Sequence, residues 1–249
     1  MESIVRIDSN THPNFEDKDS VISYINFMQN LDYKAALGIP LGSFNPQKFA
    51  ESCIASKFFI PVYTINDDFT LQEQFNQIIF LKYKAIKIHP RSNNWIWGDI
   101  NFSNLLNDVA KFALKNNYLL IICTYCATNP THLPISDPIY ILSEIMRRYP
   151  LCKILLTHGG FERIMSYAEL CRFSDNVKLD LSYSIPKLIG SSIEQDIRYL
   201  LNNFEKKITV GTDWPFVKPQ DVFSFYNTVE SGEKNISAIF GSNISDMIF

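Results

Sequence analysis

Eight short apolar runs, most of them separated by a stretch with helical spacing, predict an α/β protein with a parallel sheet. Eight such units in 249 residues fit a (β/α)8 barrel, whose usual size is about 250 residues. An open doubly wound sheet is the competing topology. No early strand is followed by the Gly-rich turn that sheet uses for nucleotides. No linker, low-complexity tract or shift in composition divides the chain, so residues 1–249 are expected to form one TIM-barrel domain.

The first run, SIVRID, leads into Asp8, Asn10 and His12 at alternate positions. A strand points alternate residues to one side, so these three are expected to share one space. YKAALGI and FFIPVYTI follow as strands. KAIKIH puts Lys87 and His89 on one face and leads into Arg91 and the loop RSNNWIWGD. SNLLNDVAKFALKNN then reads as a helix with Leu105, Val109, Phe112 and Ala113 on its buried side.

The fifth strand, YLLIICTY, ends with Cys123 and Tyr125 on one face and Thr124 on the other. DPIYILSEIMRRYP opens with a capping Asp and a first-turn Pro and stops at Pro150. CKILLTH ends at His158 and NVKLDLS is the seventh strand. SIEQDIRYLLNNF aligns Ile193, Ile197, Leu200 and Leu201, and KITVGTD closes the set at Asp213, just before Trp214.

With 46% hydrophobic residues the chain can bury a sizeable core. A formal charge of −3 without a basic cluster argues against nucleic acid or a membrane surface as partner. No apolar run approaches the roughly 20 residues of a membrane span. The start MESIVRIDSN lacks the basic flank and apolar core of a signal peptide, so a cytoplasmic location is expected. The five cysteines then read as reduced thiols, and the Asn-x-Ser sequons at Asn101, Asn235 and Asn243 carry no weight. The modest charge and aromatic-rich exterior permit a homo-oligomer.

Barrels of this kind carry their active sites at the C-terminal ends of the strands. His12, His89 and His158, three of the four histidines, lie there, with Lys87, Cys123 and Asp213. Each has an ordinary structural reading. A strand-end His is commonly just hydrogen-bonded, and an Asp after Gly-Thr commonly caps a turn. Cys123-x-x-Cys126 lacks the second pair of a zinc ribbon and reads as two plain thiols. Lys87 either holds an anion or pairs inside the barrel with Asp8. Taken jointly, residues of these types would scatter over both ends of the strands if they were structural only. Imidazole, carboxylate and thiolate are all zinc ligands, and a metal with a nearby carboxylate activates water.

Together RIDSNTHPN, KIHP, LLTHGG, GTDWP and the closing FGSNISDMIF resemble the amidohydrolase superfamily, in particular its amidohydrolase-related (β/α)8 hydrolases and decarboxylases. Order and spacing hold over nearly the whole chain, and THGG and GTDWP are the more specific pieces. The resemblance implies a divalent metal, one zinc, held by His12, His158 and Asp213, with Asp213 handling the proton of the attacking water. Asn10 stands where the first histidine of a His-x-His pair belongs, and Cys123 stands where the fifth-strand histidine belongs. A neutral amide is a poor zinc ligand, whereas a thiolate is a good one.

Three functions follow. One is a mononuclear zinc hydrolase with ligands His12, Cys123, His158 and Asp213. The second is a metal-free enzyme, as in relatives that hydrolyse lactones, with Asp213 activating water and His158, Lys87 and His12 polarising a carbonyl. The third is an inactive barrel that binds a small molecule or a protein. For the enzymes, the expected substrate is a small anionic metabolite with a lactone, ester or amide bond. Asn10, His89, Arg91 and Trp214 would contact it, while Trp95 and Trp97 either roof the site or pack the rim.

Overall fold

A computed structural model describes residues 6–125, 133–229 and 237–249. Eight parallel strands pair in sequence order: β1 (Arg6–Thr11), β2 (Tyr33–Gly38), β3 (Phe59–Thr64), β4 (Ala85–Ile88), β5 (Leu119–Cys123), β6 (Ile154–Thr157), β7 (Val177–Asp180) and β8 (Ile208–Thr209). The sheet closes just past β8. Asp213 N donates to Asn10 O at 2.8 Å, and His12 N donates to Trp214 O at 2.7 Å. Gly211 makes that approach feasible, because a Cβ there would lie 2.6 Å from Asn10 N. The fold is the expected TIM barrel.

Helices surround the strands: α1 (Lys18–Asn30), α2 (Pro46–Ser56), α3 (Leu71–Phe80), α4 (Ile100–Asn116), α5 (Pro138–Arg148), α6 (Ile164–Arg172), α7 (Ser184–Leu188), α8 (Ile193–Asn203), α9 (Pro219–Tyr226) and α10 (Asn243–Ile248). Local chemistry sets their starts. Asp17, Asn45, Asp99 and Asp137 each accept a backbone N–H of the first turn, and Thr70 with Glu73 forms a capping box. Asp99 starts α4 three residues before the expected Ser103. The buried stripe of that helix is accordingly Phe102, Leu106, Val109, Ala110 and Ala113, with Leu105 and Phe112 at its edge. Among the described residues no helix is long and apolar enough to cross a membrane.

The strands separate two apolar regions. Inside the barrel, Ile7, Leu37, Val62, Ala85, Leu119, Ile121 and Leu155 form a plug. Ile244 and Met247 of α10 complete it from below. Asn243 holds α10 in place by donating to Glu205 O at 2.6 Å and Ile208 O at 2.7 Å. Outside, a larger core joins the outward side chains of the strands to the helices. Above the plug the interior becomes polar.

Candidate active site

A cavity of about 120 Å³ opens at the C-terminal mouth. His12, His89, Arg91, Cys123, Tyr125, His158, Tyr183 and Asp213 line it, with Leu41, Ser92 and Phe216 at its edge. The sequence THGG explains how His158 enters. Residues 158, 159 and 160 all have positive φ, at 68°, 60° and 72°, which turns the chain sharply off β6. Only glycine fits at 160, since a Cβ there would lie 2.0 Å from the ring of Tyr167. The His158 Nδ1 is then fixed 3.0 Å from Ser182 O, and its other nitrogen faces Cys123. Asp213 also has positive φ, 60°. A non-glycine residue held there is a conformation found at functional sites.

The charges in the cavity are tightly coupled. Burial pushes the Asp213 carboxyl up, but its hydrogen bond to His12 and the charges of His158, His12 and Lys87 outweigh this and bring it to about 2. Burial likewise raises the Cys123 thiol, yet His89 and His158, both hydrogen-bonded to it, hold it well below the usual thiol range. Burial lowers His158, and the facing Cys123 sulfur reverses the effect and lifts it to about 9. His12 goes the other way, with burial keeping it below its ordinary value. Its Nδ1 lies 3.0 Å from Ile39 O and its Nε2 lies 3.3 Å from Asp213 Oδ1.

A second polar layer lies beneath. Asn10 Nδ2 donates to Asp213 Oδ1 at 2.6 Å and to Ser182 Oγ at 3.0 Å. Ser182 also donates to Asp180, which accepts Gly211 N at 2.8 Å. Lys87 is fully buried and donates to Thr157 Oγ1 at 2.8 Å; burial lowers its pKa. It therefore acts on the cavity only through its charge, because it does not line the wall. Its expected alternative partner, Asp8, is elsewhere.

The structure separates the first-strand trio. A register shift between Asp8 and Thr11 breaks simple alternation. Asp8 turns to α1, accepting Tyr24 Oη at 2.8 Å and Thr212 N at 2.9 Å, and burial raises its carboxyl to about 7. Asn10 lies in the lower layer, and His12 alone reaches the cavity. Of the other expected contacts, His89 and Arg91 line the wall, Arg91 lying 4.9 Å over the Tyr125 ring. Trp214 does not. Its indole stacks 4.5 Å from Tyr24 of α1, and Phe216 faces the site instead. Trp95 and Trp97 pack on Phe102 of α4, the rim-packing alternative. Cys126 and Asn235 lie outside the described residues.

The residues fit a metal ion poorly. His12, Cys123, His158 and Asp213 share the cavity wall, but among the described residues no three His, Cys, Asp or Glu side chains come together as a ligand set. Asn10, at the first ligand position, directs a donor group at Asp213. Its own Oδ1 is buried without a hydrogen-bond partner among the described residues. Asn10 thus occupies one of the two carboxylate oxygens, Oδ1, with a hydrogen-bond donor.

No protein-family model and no curated relative matches the chain. Solved structures match its fold. An uncharacterised TIM-barrel protein from Bordetella bronchiseptica is 16% identical with a TM-score of 0.73, covering 97% of each chain. A dihydroorotase from Campylobacter jejuni is 13% identical with a TM-score of 0.63, over 98% of this chain and 82% of that one. A dihydroxybenzoic acid decarboxylase from Polaromonas, with bound manganese and an inhibitor, is 10% identical with a TM-score of 0.64, over 98% and 96%. The neighbours thus include amidohydrolase-superfamily barrels, and this chain has their fold.

Proposed function

We propose that this chain is a metal-independent hydrolase of the amidohydrolase type, cleaving a lactone, ester or amide bond of a small anionic metabolite. One observation carries the reading: Asp213 Oδ1 is engaged by Asn10 at 2.6 Å and faces His12 at 3.3 Å. The fold's metal chemistry needs that carboxylate free, whereas metal-free chemistry needs it oriented.

A carboxylate with a pKa of about 2 is a weak base, so Asp213 orients the attacking water rather than keeping its proton. His12 is the better acceptor. With its Nδ1 hydrogen donated to Ile39 O, neutral His12 takes the water proton at Nε2; the imidazolium so formed donates to Asp213 Oδ1 and then passes the proton to the leaving oxygen or nitrogen. His158, held by Ser182 O and Cys123, stabilises by its charge the negative charge that develops on the carbonyl oxygen. Arg91 at the wall binds a substrate carboxylate.

A second reading, a single zinc on His12, Cys123, His158 and Asp213, draws support from their lining one cavity. It requires Asp213 to serve the metal and Asn10 together. The deciding experiment measures metal by plasma mass spectrometry on protein purified without chelator or affinity metal, beside turnover of a lactone and ester panel. Metal well below one per chain is expected, with Asp213→Asn lowering turnover about 10²- to 10⁴-fold and leaving the fold intact. One zinc per chain, lost in Cys123→Ala and His158→Ala, would replace the metal-free reading. A folded protein with neither metal nor turnover would leave a binding barrel.

A further inference from the structure

A second cavity adjoins the first. It holds about 560 Å³ between the segments that follow β1 and β2, α2, and Phe216 beyond β8. His12, Leu41 and Phe216 line both cavities, so the two share a wall. Their chemistry differs. The small one is ringed by titratable groups, whereas the large one is walled by Phe15, Ile39, Phe44, Phe49 and Pro215. Its charged residues, Lys48 and Glu16, form a loose ion pair of 3.9 Å with side chains 74% and 83% exposed, at the solvent edge.

Volume distinguishes their roles. Small-molecule sites usually span about 300–1,000 Å³, which the large cavity meets and the small one does not. The small cavity accommodates a carbonyl head and little more. Phe216, at the shared wall, is 59% exposed although its ring lies 5.7 Å from that of His12. An exposed phenyl ring beside a reactive histidine gains from being covered by apolar ligand atoms.

We infer that the substrate is amphipathic, its carbonyl head at His12, His158 and Asp213 and an apolar tail, an acyl chain or aryl group, in the cavity walled by Phe15, Phe44 and Phe49. The head's placement rests on the hydrolase reading above, while the tail's binding is measurable without turnover. Phe15 and Phe44 each pack edge-on against Phe49, at 5.5 and 5.8 Å, so the wall is braced before any ligand arrives. A preformed apolar slot ranks ligands by the apolar surface they bury.

The test is isothermal titration of the full chain with butyrate, hexanoate, octanoate and decanoate, each below its micelle concentration. Affinity is expected to rise about threefold to fourfold per methylene until the slot is full. Ser52→Trp on α2 and Ser43→Trp on the facing loop, both lining the slot, should each flatten the series and leave butyrate binding unchanged. Two independent fillings guard against one variant failing to fold, and circular dichroism checks both. A flat series in the unmodified protein overturns the inference, as does a slope that persists in both folded variants. Loss of the hydrolase reading shows separately, as absent turnover with the chain-length series intact.

Discussion

The floor and the mouth of this barrel are built from the same strands, two to four residues apart. On β4 the inward side chains run Ala85, Lys87, then His89 just beyond the strand; on β5 they run Ile121, Cys123, then Tyr125; on β6, Leu155 gives way to Thr157. On β4 two pleats separate the plug from the cavity, with buried Lys87 between them; on β5 one pleat is enough, because Cys123 itself lines the wall. Depth along a strand therefore sets a residue's role more than the strand it belongs to. The plug supplies rigidity that the mouth, with its buried thiol, lysine and carboxylates, cannot supply for itself.

Three measurements press on that contrast. The largest effect is expected in thiol reactivity. Cys123 faces the cavity between two histidines that favour its thiolate, while burial raises Cys152 and Cys171 to about 12 and Cys53 higher still. Iodoacetamide at pH 7 should alkylate Cys123 on the order of 100-fold faster than those three, read by peptide mass mapping. Equal rates would mean that mouth and core offer a thiol the same surroundings.

Next comes the floor. Leu155→Ala removes a fully buried side chain from the plug and should cost about 2–5 kcal/mol in urea unfolding. A cost below about 1 kcal/mol would show the plug collapsing onto the gap, and so a floor no stiffer than the mouth.

The smallest effect concerns Asp8, buried between barrel and α1 and belonging to neither region. Its folded carboxyl titrates near 7 against 3.8 when unfolded, so from pH 4 to 7 the folded chain keeps a proton the unfolded chain has lost. Stability contributed by this group is present at pH 4 and falls as pH rises, by about 1.4 kcal/mol per unit. Asp8→Asn should flatten that slope relative to the unmodified protein in unfolding curves at pH 4.5, 5.5 and 6.5. An unchanged slope would assign the proton to another group.

The barrel was legible because every strand carries its own apolar run and every well-capped helix its own start signal, both local properties. The site was legible in part. His89, Cys123, His158 and Asp213 do meet, because each ends a strand and the fold gathers strand ends. What escaped was set by departures from regular geometry. A register shift sent Asp8 outward, one layer of depth hid Lys87 from the cavity, and the turn at Asp213 put Phe216 rather than Trp214 beside it. Asp180 and Ser182 had no signature at all. A serine and an aspartate in an apolar strand look alike whether they brace Asn10 or bond only to each other.

The seam between the first and last strands bears on how the protein is made. Asp213 and His12 are drawn together by backbone bonds that join residues 10 and 12 to residues 213 and 214. During synthesis His12 leaves the ribosome some two hundred residues before its partner. Until then β1 presents an open sheet edge with no carboxylate beside its histidine. A prematurely terminated chain, however much of the sheet it has formed, has His12 without Asp213 and an open seam where the two would meet.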